Sequence, residues 1–443
     1  MRKTFLLKTG LIFLGITVPS SIPTLLINSF SIGLVSSIIF LTKKANFKFL
    51  TLLFFIYGLM VYLNLWSVNK IFIFVILTLL GSFFGYLVNK NNRIKLLLII
   101  LTLGYFLVAF IDGRPIRQQV KKEPVLENYI RDTNCYLKTY FLISKGMPYY
   151  QAYALAESGE ASGDGYPGEI WGWKTPFLFY LWKLFPGSDG RSIYWLFTIL
   201  VFSLPLTCYL ISKKLVGKTY AVLAPFFVWP YFLLPLKESS FLQVEWWGLI
   251  FFLIGFYYLL KKNFLLTTIF FTLTLFSREL FVVHLFSLLV ILFIKRQKKM
   301  LFSIIIPILS ILLFYLTVHI PNVANFENLK NMNSWLRETN ISSNFNSWPM
   351  VRTTLAYNSW QYLFYNLYLF RTSLLLSSLA LLFLYFKRKS DKYFLLIASY
   401  LPFFLFQFKP GLTTLYHDYW GIYYVPLTLI AVPVVIKLLT NKT

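Results

Sequence analysis

LFSIIIPILSILLFYLTVHI, residues 301–320, contains no Asp, Glu, Lys or Arg. An apolar helix of about 20 residues is long enough to cross the roughly 30 Å hydrocarbon layer of a membrane. Many other windows of this chain are equally free of charge, and only 13% of its 443 residues are charged. Soluble globular proteins carry about a quarter charged residues. The sequence therefore predicts an all-α polytopic membrane protein.

Fourteen membrane spans are predicted from the charge-free runs. They cover residues 5–19, 24–41, 48–66, 70–88, 95–111, 191–211, 219–236, 240–260, 264–278, 280–295, 300–319, 369–386, 393–407 and 421–438. The first follows Arg2 and Lys3 but lacks a small-x-small cleavage site, so we interpret it as an anchor. We divide the chain into an additional N-terminal transmembrane block, residues 1–92, and a core, residues 93–443.

Basic residues are distributed unevenly between the connections. One set of connections holds more than half of the 42 Lys and Arg residues but only one of the 16 acids, Asp391. The positive-inside rule makes this set cytoplasmic and places both termini inside. The net charge of +26 then reflects topology and attraction to anionic membrane lipids, so it requires no nucleic acid.

Three sizeable outer segments follow from this topology, residues 112–190, 320–368 and 408–420. The first contains KTPFLFYLWKLFPG, residues 174–187, which is too short to span and rich in aromatic residues. The second contains a similar stretch at 358–370. We expect both to be helices lying in the outer membrane interface, with their aromatic residues at headgroup depth.

RDTNCYLKTYFLISKGMPYY, residues 131–150, is polar where its surroundings are apolar. An unpaired carboxylate close to lipid is costly, so Asp132 is expected either to be paired or to have a chemical role. The alternatives are a surface ion pair with Arg131 or Lys138 and participation in an outer-face reaction. Spacing alone does not decide between them.

Several different short motifs follow one another along the predicted outer side of the chain. They are Asp132, Tyr136, Gly146, Pro148 and Tyr149 in the stretch above; Tyr166-Pro167; Thr175-Pro176-Phe177-Leu178; Arg278-Glu279 in LFSREL; and His417, Asp418, Tyr419 and Trp420 in LYHDYWGIYYVP. Over residues 95–440 this order resembles the GT-C superfamily of membrane glycosyltransferases, which use polyprenyl-phosphate sugars. The last motif resembles the bacterial branch related to protein O-mannosyltransferases, glycosyltransferase family 39. The second proline of the interfacial motif is only partly matched.

The resemblance implies a sugar transfer from a lipid phosphate to a hydroxyl of a lipid, glycan or protein acceptor. Phosphate leaves without a general acid, so one carboxylate base suffices, whereas glycosidases need two carboxyl groups. The resemblance places that base at Asp132 and implies inversion at the anomeric carbon.

Further site residues follow from the same resemblance. Donor phosphate or sugar would be bound by Arg278, Glu279, His417, Tyr419 and Lys174, and accessory or acceptor contacts would come from Glu169, Asp418, Tyr136 and Tyr149. Several of these residues have structural alternatives.

Arg278 can pair with Glu279 or His284, and Asp418 can cap a helix. Lys174 can extend toward the headgroups, and Glu245 falls inside the eighth span without an assigned role. No cofactor is certain. A divalent cation is possible, although the sequence does not show the several convergent carboxylates that it requires.

Two other functions remain open at this point. A lipid-linked glycan flippase or transporter would show paired repeats and polar residues at mid-membrane. A surface-polysaccharide ligase or polymerase would have its large outer segment late in the chain, whereas here it precedes the core spans.

Overall fold

The computed structural model describes most of the chain beyond residue 112. The described ranges are residues 113–122, 131–157, 172–185, 190–225, 239–325, 367–402 and 422–440, with a few single positions besides. These residues are almost entirely helical and include no strand, which confirms the all-α fold. The predicted N-terminal block, residues 1–92, lies outside the described residues.

Four short helices form the described part of the first outer segment. They are α1 (Arg114–Lys122), α2 (Arg131–Ser144), α3 (Tyr149–Glu157) and α4 (Phe177–Lys183). Helix α2 ends where Gly146 adopts a φ of 95°, a conformation that glycine tolerates best. Pro148 follows and the chain turns directly into α3. Helix α4 occupies the predicted interfacial stretch 174–187 but covers only seven residues of it.

Within the part of the chain that the structure describes, two continuous helical stretches are long and apolar enough to cross a membrane. The first combines α5 (Arg191–Phe202) with α6 (Leu204–Val216). The second runs through α11 (Lys298–Phe314), a π-helical turn (Tyr315–His319) and α12 (Ile320–Ala324).

The second stretch exposes much of its apolar surface. Leu309, Leu313 and Leu316 are 56%, 63% and 59% exposed. Contact of such a surface with water would be unfavourable, so this pattern indicates a helix surrounded by lipid.

The remaining helices complete the bundle. They are α7 (Lys218–Ala221), α8 (Val244–Leu260), α9 (Phe264–Ser277), α10 (Val282–Ile294), α13 (Leu367–Arg388), α14 (Asp391–Ala398) and α15 (Val425–Thr440), with 3₁₀ turns at Ser239–Leu242 and Glu279–Phe281. Five predicted spans, 240–260, 264–278, 280–295, 369–386 and 421–438, are helical over most of their described length, with boundaries that differ by a few residues.

Basic residues end three of these helices in the same way. Lys262, Arg296 and Lys389 follow α8, α10 and α13 with φ values of 56°, 53° and 47°. The backbone N–H groups of Lys262 and Arg296 donate to Leu259 and Phe293 at 2.9 Å, closing the last turns. Positive charge at a helix C-terminus is favourable because it opposes the negative end of the helix dipole. The charge there offsets part of the conformational strain.

The basic turns gather at one end of the bundle. Lys295 Nζ lies 3.1 Å from Asp391 Oδ1, which joins the α10–α11 turn to the α13–α14 turn. Lys392 and Lys437 donate to the backbone carbonyls of Lys214 and Val216 at 2.5 and 2.7 Å. These contacts bring together connections that the sequence assigned to one membrane side.

The first outer segment packs at the opposite end. The ring of Trp182 on α4 lies 5.7 Å from that of Trp247 at the start of α8. The hydroxyl of Thr175 donates to the carbonyl of Phe276 at the end of α9. The aromatic helix α4 and the basic turns therefore lie at different ends of the described bundle.

Two glycines allow α8 to approach its neighbours closely. Gly248 and Gly255 lie two turns apart on α8, so they occupy the same face. A Cβ at Gly248 would lie 2.6 Å from Phe281, and one at Gly255 would lie 2.7 Å from Phe271. Close helix packing through small residues is a common device in membrane bundles.

We expect Gly248→Ala to reduce the free energy of unfolding by about 1–3 kcal/mol, because its Cβ overpacks the Phe281 ring. Thermal unfolding in detergent would measure the loss. Phe281→Leu combined with Gly248→Ala should recover part of the stability, since the smaller side chain makes room for the methyl group. An equally stable single variant would show that the contact is not tight.

Candidate functional site

Arg278 lies at a break between two helical elements. Helix α9 ends at Ser277, and Arg278 adopts an extended conformation (φ −155°, ψ 109°) before the 3₁₀ turn begins. Its backbone N–H still donates to the carbonyl of Thr274 at 2.9 Å. The break directs the side chain into the protein, where only 4% of the residue is exposed.

Two carboxylates and a tyrosine surround the guanidinium. Arg278 Nε lies 2.9 Å from Glu245 Oε1 and donates to the Tyr423 hydroxyl at 3.1 Å. Arg278 Nη1 donates to Glu279 Oε1 at 2.5 Å. Glu245 and Glu279 are 2% and 9% exposed, so the whole group lies in a medium where charges interact strongly. We call Glu245, Arg278, Glu279 and Tyr423 the arginine cluster.

The arginine cluster contains more negative than positive charge when both carboxylates are ionised. Glu279 Oε2 is buried and forms no hydrogen bond with any residue that the structure describes. A buried carboxylate oxygen without a donor is costly, so this oxygen favours a ligand that brings an O–H or N–H group. A phosphate, by contrast, would have to compete with two carboxylates for Arg278.

His284 is connected to the arginine cluster through Tyr423. Its Nε2 lies 2.9 Å from the backbone carbonyl of Tyr423, and its ring lies 5.0 Å from that of Phe281. Of the two partners suggested by the sequence for Arg278, Glu279 is the one with which it forms an ion pair. The Tyr423 hydroxyl accepts a hydrogen bond from Arg278, and the Tyr423 backbone carbonyl contacts His284. These two contacts attach the turn before α15 to Arg278 and to α10.

The predicted accessory residues Tyr136 and Tyr149 are buried inside the first outer segment, each 2% exposed. The Tyr149 hydroxyl donates to the backbone carbonyl of Lys174 at 2.5 Å, and the Tyr136 ring lies 6.0 Å from that of Phe179. Burial raises the pKa of Tyr149, and the neighbouring Glu279 carboxylate is among the charges that raise it further. These tyrosines hold α4 on α2 and α3, close to the arginine cluster.

Asp132 lies in the first turn of α2, where a carboxylate interacts favourably with the helix dipole. It is partly buried and forms no ion pair with Lys138 or any other described residue. Burial raises the pKa of the Cys135 thiol one turn later, and the carboxylates of Glu157 and Asp132 raise it further. Asp132 and Glu157 are therefore both near Cys135.

Some predicted site residues lie outside the described part of the chain. Glu169, His417, Asp418 and Tyr419 belong to this group. Lys174 is described and is partly buried between Trp173 and Thr175, both of which are buried. Of the predicted site, the structure thus brings Arg278 and Glu279 together and places Tyr149 and the Lys174 backbone beside them.

Several contacts were not predicted from the sequence. Glu245 had no assigned role, although an acid inside a predicted span is a signal that it needs a partner. Tyr150 and His319 were not singled out. The Tyr150 hydroxyl lies 3.0 Å from His319 Nδ1, in the π-helical turn that ends α11. Such π-helical turns are frequent at functional sites.

No family model matches the chain, and no curated protein or solved structure matches it either. Among the described residues, no three His, Cys, Asp or Glu side chains converge as a metal site would require.

We expect Arg278→Gln to be far more destabilising than Glu245→Gln. Loss of the arginine leaves two buried carboxylates without a counter-charge, which costs about 3–5 kcal/mol. Loss of the Glu245 charge leaves the Arg278–Glu279 pair intact. Thermal unfolding of both variants in detergent would measure the difference, and equal losses would contradict the charge balance described for the arginine cluster.

Tyr150→Phe should weaken the attachment of α3 to the π-helical turn. The lost hydrogen bond is worth about 0.5–1.5 kcal/mol, and amide hydrogen exchange over residues 149–157 should become faster. Tyr180→Phe is the matched control, because Tyr180 belongs to the same outer segment and is 46% exposed. Equal exchange in the two variants would show that the Tyr150–His319 contact does not hold α3.

Proposed function

We propose that the chain is an inverting membrane glycosyltransferase that moves a sugar from a polyprenyl-phosphate donor to an acceptor hydroxyl on the outer face of the cytoplasmic membrane. In this proposal it has about fourteen membrane helices, with a GT-C-like core at residues 93–443 and an additional block at 1–92. The observation that carries it is the buried arginine cluster, which lies at the end of the bundle that bears the first outer segment and Asp132.

Asp132 is the proposed base. Its carboxylate takes the proton of the acceptor hydroxyl while the new bond to the anomeric carbon forms on the face opposite the phosphate. The bond from that carbon to the phosphate oxygen breaks, and the electron pair leaves with the lipid phosphate. One carboxylate is enough for this step.

The arginine cluster has the proposed role of binding the sugar. The Glu279 oxygen without a described partner accepts a hydrogen bond from a sugar hydroxyl, and Arg278 holds that carboxylate in place. The donor phosphate is a singly charged diester that gains a second negative charge as the sugar leaves, so cationic groups that are not already paired with carboxylates would bind it better. In the proposal these are Lys174 and His417, with Tyr419 contacting the sugar and with Glu169 and Asp418 as accessory residues.

The decisive test is transfer in liposomes from a panel of polyprenyl-phosphate sugars, with lipid, glycan and peptide acceptors. Wild-type protein should transfer sugar from at least one donor, and Asp132→Asn should reduce the rate by a factor of about 10²–10⁴. Asp391→Asn is the matched control, since it makes the same chemical change at the opposite end of the bundle.

Two results would contradict the proposal in different ways. Equal rates for wild type and Asp132→Asn would remove Asp132 from its role as base. A wild-type protein that is folded by circular dichroism, yet transfers sugar from none of the donors, would count against the enzyme class itself.

A further inference from the structure

The π-helical turn that follows α11 packs against the end of α9 and against the first outer segment. The ring of Phe314, the last residue of α11, lies 5.3 Å from that of Phe276 in the last turn of α9. The Thr175 hydroxyl of the outer segment donates to the carbonyl of Phe276. The Tyr150 hydroxyl lies 3.0 Å from His319 Nδ1 in the π-helical turn. Each of the three elements therefore contacts the other two, and they meet around one region of the protein.

Tyr315 brings a hydroxyl to the arginine cluster from the π-helical turn. This hydroxyl lies close enough to the Glu279 carboxylate and the Arg278 guanidinium for their charges to act on it. The Tyr149 hydroxyl lies close enough to Glu279 and Tyr315 to be affected by both, while it donates its own hydrogen to the Lys174 carbonyl. The Glu279 carboxylate thus has tyrosine hydroxyls from two other elements beside it.

Aromatic contacts fix the position of the Tyr315 ring. Its centroid lies 4.5 Å from that of His319, and the His319 ring lies 5.7 Å from that of Tyr150. A π-helical turn is bonded from residue i to i+5, so it rotates these side chains around the helix axis relative to an uninterrupted α-helix. A side chain that its neighbours hold in place can present its polar atom to a ligand without first being ordered.

Glu279 and Tyr315 differ in the hydrogen bonds that they can form. An ionised carboxylate only accepts, whereas a phenolic hydroxyl donates and accepts. Glu279 Oε2 is buried and forms no hydrogen bond with any residue that the structure describes. One sugar hydroxyl can donate to Glu279 and accept from Tyr315 at the same time. A deoxy position can do neither, and the carboxylate of an acidic sugar would be repelled by Glu279.

The two groups lie close beneath the protein surface. Glu279 and Tyr315 are 9% and 8% exposed, whereas Tyr150, Lys174 and Leu280 beside them are only partly buried. A sugar would therefore reach the two groups by displacing partly exposed side chains, without separating the helices of the bundle.

We propose that Tyr315 is a specificity-determining residue, which donates a hydrogen bond to the same sugar hydroxyl that donates to Glu279. Tyr150 and His319 are positioning residues, because they hold the Tyr315 ring and do not touch the sugar. This inference rests on the proposed function, since it takes the sugar of the polyprenyl-phosphate donor as the ligand. It adds to that function a residue to which the sequence assigned only a place in a membrane span.

Binding of lipid-linked sugars to the full chain tests the role of Tyr315 without requiring turnover. Native mass spectrometry in neutral detergent gives the Kd of polyprenyl phosphates that carry glucose, mannose, galactose or arabinose. Polyprenyl methyl phosphate, a diester of the same charge without a sugar, is the reference ligand. Wild-type protein should bind at least one sugar lipid more tightly than the reference. Tyr315→Phe should weaken that binding about 2- to 10-fold, the factor that one hydrogen bond supplies, and leave the Kd of the reference unchanged.

Monodeoxy forms of the preferred sugar identify the hydroxyl that is recognised. Loss of that hydroxyl should weaken binding more in the wild type than in Tyr315→Phe, because both changes remove the same hydrogen bond. Tyr393→Phe is the matched control, since it removes a buried tyrosine hydroxyl, the one that donates to the Leu215 carbonyl, at the opposite end of the bundle. It should bind every ligand as the wild type does.

The outcomes separate this inference from the proposed function. Wild-type selectivity for a sugar that Tyr315→Phe fully retains would overturn the role of Tyr315 and leave the proposed function standing. An equal loss of affinity for the sugar lipid and the reference would also overturn it, because a purely structural role affects both ligands. A wild type that binds no sugar lipid better than the reference would contradict both proposals. Selectivity that depends on Tyr315, without transfer in liposomes, would support the binding site and count against the enzyme.

Discussion

Arg278 is buried between Glu245 and Glu279, and the three charges must stay together because none of them is stable alone in an apolar interior. This requirement explains several local features. Helix α9 ends one residue before Arg278, Gly248 leaves space beside the arginine, and Tyr423 at the start of α15 completes the set. The ion pair with Glu245 thereby connects α8, and the hydrogen bond to Tyr423 connects the turn before α15, to the break after α9.

The described protein has two chemically different ends. At one end, charges are buried and paired, and an outer segment rich in tyrosine and tryptophan covers them. At the other end, basic side chains cap helices and bond to the carbonyls of α6. The first arrangement creates a protected polar environment close to the membrane boundary. The second is suited to contact with anionic lipid headgroups. The apolar surface of α11 and α12 between such ends suits lipid rather than water.

The helices were predictable because their signal is local: a run such as 301–320 has no charge and a membrane span needs no more than that. The break at Ser277-Arg278 was also visible, since two short spans met at charged residues. The contacts that build the site were not, because they join residues far apart in the chain. Tyr150 and His319 are separated by 169 positions, and nothing in either stretch specifies the other. An acid inside a predicted span indicates that Glu245 needs a partner, but the sequence does not identify Arg278 as that partner.

The pairing of Arg278 changes what the site can recognise. An arginine in a motif suggests phosphate binding, because a guanidinium can form two parallel hydrogen bonds to an anion. Here Nε and Nη1 of Arg278 already bond to carboxylates, and the cluster also presents an acceptor oxygen, that of Glu279. Neutral hydroxyl groups fit such a surface better than the negatively charged phosphate of the donor does. Within the proposed reaction, recognition is therefore divided: the buried arginine cluster reads the sugar, and the phosphate of the donor lies nearer the aqueous boundary.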